Sequence, residues 1–173
     1  MSKLLAHEVR GDAPASILLI HGWLTSREVW RGVADQLAAK HGVLLPDLRG
    51  FGASGGEASS DLGDSVRDLL ALLDALELER VHVGGHSMGG AIAQRLAVEA
   101  PTRVASLTLV APVPASGFHL DADTQALSTR AADDDEALEA RFGFLIGNRH
   151  SPGFARATRV RCRAATTRDA YLG

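Results

Sequence analysis

The residues from Val81 to Gly89 constrain this chain more than any other stretch. A short apolar run, Val81 to Gly84, leads into Gly85-His86-Ser87-Met88-Gly89, and a helical run from Met88 to Ala100 leaves it, ended by Pro101. A strand that becomes a helix within so few residues brings two backbones close together, so side chains at Gly85 and Gly89 would clash. Such a turn holds Ser87 in an unfavourable backbone conformation. It lifts the hydroxyl above the sheet edge and aims a helix N-terminus at it. A Gly-x-Ser-x-Gly match alone is a weak signal; its place between an apolar strand and a helix gives it weight. Ser87 is therefore the candidate nucleophile, supported by Gly85, His86 and Gly89.

The rest of the first 112 residues alternates in the same way. Leu4 to Val9, Ser16 to Ile20, Gly42 to Leu45 and Leu107 to Val110 read as further strands, several wholly apolar as in a sheet covered on both faces. Between them, Ser26 can cap a helix with Val29, Trp30, Val33 and Leu37 on one side. Ser60 or Asp61 can cap another that carries Leu62, Val66, Leu69, Leu70, Leu73 and Leu76. The expected class is α/β, a mostly parallel sheet flanked by helices.

Two other motifs end strands on the same edge, where such sheets bind ligands. In His21-Gly22-Trp23, Gly22 lets the backbone turn so that the Trp23 N–H faces the pocket. With the Met88 N–H it forms a two-donor oxyanion hole. His21 reads as a residue that holds this loop. In Asp47-Leu48-Arg49-Gly50, Asp47 and Arg49 read as loop-fixing residues. The turn after Val83 lacks Gly-x-Gly-x-x-Gly spacing, which disfavours a dinucleotide site.

Taken in this order, the three motifs resemble the α/β-hydrolase fold family. The likeness is to its cofactor-free serine esterases and the related non-haem haloperoxidase, lactonase and carbon–carbon bond hydrolase branches. It covers residues 3–112. It implies a serine hydrolase acting on a carboxylic ester, thioester or lactone through Ser87, with Trp23 and Met88 as oxyanion donors and no metal or organic cofactor. Serine at position 87 disfavours the dehalogenase and epoxide-hydrolase branches, which use aspartate there. Residues 113–173 resemble the start of the helical cap that family members insert. The expected organisation is thus 1–112 as hydrolase core and 113–173 as an incomplete helical segment.

The resemblance breaks at the base. In the family the orienting carboxylate and the histidine follow later strands, and none is visible before Tyr171-Leu172-Gly173. His119 and His150 lie in segments free enough to swing toward Ser87, with Asp121 or Asp123 as an orienting acid, but none matches the family's pattern. The alternative reading is a catalytically incompetent hydrolase-like fragment or subunit. It also follows that the strand ending at Val110 is left as an apolar edge open to self-association or a partner chain.

Composition limits the remaining options. A net charge of −3 gives no general pull toward nucleic acid or anionic membrane, and no apolar run approaches a membrane span. Basic residues Arg149, Arg156, Arg159, Arg161, Arg163 and Arg168 read as solvated helix faces partly paired with acidic residues 121–139. With one cysteine, Cys162, and no signal peptide, the cytoplasm is the expected location. The expected partner is a small acyl substrate.

Overall fold

The structure is a computed structural model that describes residues 4–59, 61–114, 116–117, 119–146 and 151–168. Its centre is a five-stranded sheet. In chain order the strands are β1 (His7–Arg10), β2 (Ala15–Ile20), β3 (Gly42–Pro46), β4 (Val81–His86) and β5 (Val104–Val110). Their spatial order is β1-β3-β2-β4-β5, with β1 antiparallel to β3 and every other pairing parallel. The helices are α1 (Arg31–Leu37), α2 (Leu62–Ala75), α3 (Met88–Glu99), α4 (Ala122–Arg130), α5 (Asp135–Ile146) and α6 (Pro152–Ala165). The expected α/β class is observed.

Two apolar layers cover the middle strands of the sheet. On one face, α2 and α3 bury Val66, Leu69, Leu72, Leu73, Ile92 and Leu96 against Leu18, Ile20, Leu44 and Val83. Asp61 starts α2, its carboxylate accepting from the Gly63 N–H at 2.8 Å; Ser60 lies outside the described residues. On the other face, Trp30 and Ala34 cover Leu19, Val43 and Leu45.

The segment after β2 departs from expectation. Ser26 caps a 3-10 turn, Arg27–Trp30, and only then does α1 begin. A 3-10 turn uses three residues rather than 3.6, so the phase of the buried stripe rotates. Trp30 and Ala34 are buried, while Val29 and Val33 are about half exposed, at 47% and 46%. The expected apolar side with Val29 and Val33 is therefore corrected.

The last strand is longer than Leu107 to Val110, starting at Val104, and among the described residues it is the outermost on its side of the sheet. The helices that follow it, α4, α5 and α6, pack against the segment after β2. Leu24 is buried among Ala131, Ala132, Ala137, Leu138 and Cys162. The segment after α6 returns to the loop following β3, where Gly52 N–H donates to Ala165 O at 2.7 Å and Thr167 N–H to Gly50 O at 3.1 Å. Arg159, Arg163 and Arg168 pair with Glu139, Asp135 and Asp133, as expected for solvated helix faces. No helix among the described residues is long and apolar enough to cross a membrane.

Candidate functional site

Ser87 sits between β4 and α3 with φ 53° and ψ −120°, as the residue capping the helix. Left-handed φ is strained for a side-chain-bearing residue. Neighbouring backbone bonds hold it there. Its N–H donates to Val110 O at 3.1 Å, and its carbonyl accepts from Gly90 N–H at 2.9 Å and Val113 N–H at 3.0 Å. Met88 opens α3, so its N–H is one of the helix donors without an intrahelical acceptor.

The glycines do what the sequence requires of them. A Cβ on Gly85 would stand 2.3 Å from Gly89 O, and one on Gly89 would stand 2.4 Å from both Ile20 O and His21 O. Gly22 comes against the serine itself, because a Cβ there would lie 3.0 Å from Ser87 Cβ and 3.1 Å from His86 O. The loop carrying Trp23 and the turn carrying Met88 are thus in direct contact.

His21 is a fastener for that loop. It is fully buried; its Nε2 accepts from Leu48 N–H at 2.9 Å, so Nδ1 carries the proton and donates to Gly22 O at 2.8 Å. Burial pushes its pKa down to about 4, which keeps the ring neutral. Thr25 Oγ1 donates to the same Gly22 carbonyl at 2.8 Å. Asp47 holds the neighbouring loop: its carboxylate accepts from Arg27 N–H, Arg27 Nη1 and Ala53 N–H, each at 2.8 Å. Arg49 pairs with Asp68. His21, Asp47 and Arg49 thus fasten the loops on which they stand.

His86 is half-buried and meets Trp30 edge-on, with centroids 6.4 Å apart. Burial lowers its pKa, and its Nδ1 has no hydrogen-bond partner among the described residues. Among those residues no histidine or carboxylate is hydrogen-bonded to the Ser87 hydroxyl. His119 is exposed, and Asp121 is engaged in capping α4, where it accepts from Thr124 N–H at 2.8 Å. His150 lies outside the described residues. The structure brings neither His119 nor Asp121 into a hydrogen bond with Ser87.

A model of the alpha/beta hydrolase fold matches residues 15–143. The chain belongs to the α/β-hydrolase fold family. A hydrolase from Pseudomonas aeruginosa shares 30% identity with this α/β-hydrolase chain and superposes with a TM-score of 0.80, covering 98% of this chain and 66% of its own. The enol-lactonase of Burkholderia xenovorans superposes at 0.79 with 19% identity, over 97% of this chain and 67% of its own, a likeness of fold. Among curated sequences, the pimeloyl-[acyl-carrier protein] methyl ester esterase of Edwardsiella ictaluri is 37% identical over 114 residues, 66% of this chain and 42% of the esterase. The chain spans less than half the length of the curated relatives it matches.

One residue of this site has no signal in the sequence. Arg141, on α5, is 4% exposed, lies over the Trp23 ring at 5.6 Å, and its Nε donates to Ser128 Oγ at 2.9 Å. A charged residue in a helical stretch rich in charge reads as solvated. Leu24 adopts a positive φ of 60°, which its apolar character does not announce.

A cavity of about 850 Å3 opens between the Leu24–Gly32 segment and α6, lined by Leu24, Arg27, Val29, Phe154, Arg161 and Cys162 among others. Ser87 does not line it. Burial pushes the Cys162 thiol up to about 11, which keeps it protonated at neutral pH. No group of three or more His, Cys, Asp or Glu among the described residues could hold a metal ion.

Proposed function

We propose that this chain carries the reacting half of a serine hydrolase whose substrate is a carboxylic ester, thioester or lactone, with Ser87 as nucleophile. The observation that carries the reading is the φ of 53° at Ser87 where β4 meets α3. Strain of this kind persists where the surroundings enforce it, and it clusters at reacting residues.

Ser87 Oγ attacks the acyl carbon and the carbonyl electron pair moves to oxygen. The Trp23 and Met88 N–H groups receive that oxyanion, aided by the positive end of α3. Collapse of the intermediate expels the alcohol, thiol or ring alkoxide, and water then releases the acid. The serine proton passes to a base, and the alcohol or thiol takes one on leaving. Residues 1–112 supply the core and 113–173 the beginning of a wall over the acyl group; Gly22, Gly85, Gly89, His21 and His86 position the machinery.

A second reading has its own support. No described histidine is hydrogen-bonded to the Ser87 hydroxyl, which favours a subunit that turns over only with a base from elsewhere. Enzymes lacking a triad member retain about 10³–10⁴-fold acceleration over water. A fluorophosphonate followed by intact mass separates the two. Stoichiometric labelling that Ser87→Ala abolishes supports a self-sufficient serine. An unlabelled wild-type protein rejects it and leaves the dependent subunit.

A further inference from the structure

Ala137, Leu138 and Arg141 fall at helical spacing on α5, and the first two are buried against Leu24. Arg141 thus stands where the pattern calls for an apolar residue, and it too is buried. Taking a guanidinium out of water is costly; a leucine or methionine would fill the place without that cost. The charged group is also tethered. Its Nε donates to Ser128 Oγ at 2.9 Å, and Ser128 Oγ donates in turn to Thr124 O at 2.8 Å, so α5 is joined to α4. From that tether Cζ lies over the Trp23 ring, 5.6 Å from its centroid, within range for a cation–π contact.

The ring it covers belongs to the residue whose N–H matters. The Gly22–Trp23 peptide is a rigid plane. Its carbonyl end is fixed, since Gly22 O accepts from His21 Nδ1 and from Thr25 Oγ1, each at 2.8 Å. A plane anchored at one end can still pivot, and the Trp23 N–H lies at the other end. The handle at that end is the Trp23 side chain. It packs both against the core built by α2 and α3 and against the cluster that α4, α5 and α6 form around Leu24. Leu24, next in the chain, is buried with a φ of 60°, so the backbone after Trp23 is enforced by its surroundings rather than relaxed.

We propose that Arg141 is a positioning residue for the oxyanion hole. By clamping the Trp23 ring it sets the direction of the Trp23 N–H, and α4 and α5 thereby tune the chemistry at Ser87 through Trp23. The role rests on the reading of Ser87 as nucleophile with Trp23 and Met88 as donors. A donor aimed at the oxyanion is felt as that charge forms. It therefore governs how fast the serine reacts rather than how tightly the reagent is held.

Arg141→Met in the full 173-residue chain tests this. Methionine keeps the bulk and drops the charge and the hydrogen bond, while Ser128 keeps its bond to Thr124 O. The melting temperature should hold or rise. The maximal rate of fluorophosphonate labelling should fall by about 10- to 100-fold at an unchanged half-saturating concentration. Arg141→Lys, which retains a cation over the ring, should recover part of the rate. Near-UV circular dichroism gives a second readout. The chain has two tryptophans, so in a Trp30→Phe background the tryptophan band reports Trp23 alone. That band should shrink when Arg141→Met is added. Ser128→Ala unties Nε and should move both readouts the same way, more mildly. Three results would each overturn the proposal: an Arg141→Met variant labelled at the wild-type rate, a Trp23 band that this change leaves intact, or slowing that only tracks a lost melting temperature and that lysine does not relieve. If Arg141→Met does not fold, Ser128→Ala decides, and a wild-type rate and band there overturn the proposal. A wild-type protein that resists labelling rejects the self-sufficient serine instead, and the band alone then decides whether Arg141 holds Trp23.

Discussion

The ring of His21 accepts the Leu48 N–H at 2.9 Å and so ties the end of β2 to the end of β3. The bond exists only while Nε2 is unprotonated. The folded state therefore binds its proton near pH 4, against 6.5 for the free side chain.

The sign of the pH dependence follows. Below pH 6.5 the unfolded chain takes up a proton that the folded chain refuses, so stability is full above that value and falls as the pH drops toward about 4. The loss should be roughly 3 kcal/mol, read from urea unfolding at a series of pH values. His21→Leu should flatten this slope and cost about 1–3 kcal/mol at neutral pH, because the Leu48 N–H is left without an acceptor. A slope unchanged in that variant would assign the dependence elsewhere.

Ser87→Gly should stabilise the protein. Glycine accepts the φ of 53° that strains serine, and relief is expected to be worth about 1 kcal/mol or more. The same change removes the hydroxyl, so fluorophosphonate labelling should vanish while the melting temperature rises. Ser87→Ala should lose labelling with no such gain.

Gly22→Ala tests the contact between the two loops. The new methyl would press on Ser87 Cβ at 3.0 Å and on His86 Nδ1 at 3.1 Å, a squeeze that small shifts absorb. Those shifts fall on the serine and on the Trp23 amide. Labelling should slow by about 10- to 100-fold, scaled by what one misplaced donor costs, with a modest fall in melting temperature. Gly89→Ala should behave differently. Its methyl meets backbone at 2.4 Å on two sides, so lowered stability or failure to fold should dominate.

Asp47→Asn should destabilise by about 3 kcal/mol in thermal or urea unfolding. Asp47 is 2% exposed and accepts from two backbone N–H groups besides its ion pair with Arg27. The amide keeps the shape, loses the charge, and presents hydrogens where an acceptor is needed.

Gly85 and Gly89 were legible because a strand and a helix in van der Waals contact leave no room for a Cβ, and that demand is local. His21 and Asp47 were legible for a similar reason: each stands one residue past a buried strand, where a loop needs fastening. The Val29 face was not legible. A 3-10 turn differs from a helix by a fraction of a residue per turn, and Trp30 decides the phase by filling the space over Leu19 and Leu45. Nor was the start of β5, because Ser106 breaks an apolar run that in a covered parallel strand would continue. Arg141 was hidden for a different reason. Its burial depends on Trp23 and Ser128, which lie far from it in the chain, and no local pattern records either.

Leu24 follows directly after Trp23, and its side chain is enclosed by Ala131, Ala132, Ala137, Leu138 and Cys162. The helices beyond β5 are therefore not free to drift in sequence as a surface insertion would be. Their outward residues can be exchanged at little cost, but the three alanines form a socket cut to one leucine. Lineages that remodel these helices must do so around that socket, or else re-tailor Leu24 and with it the loop that bears Trp23.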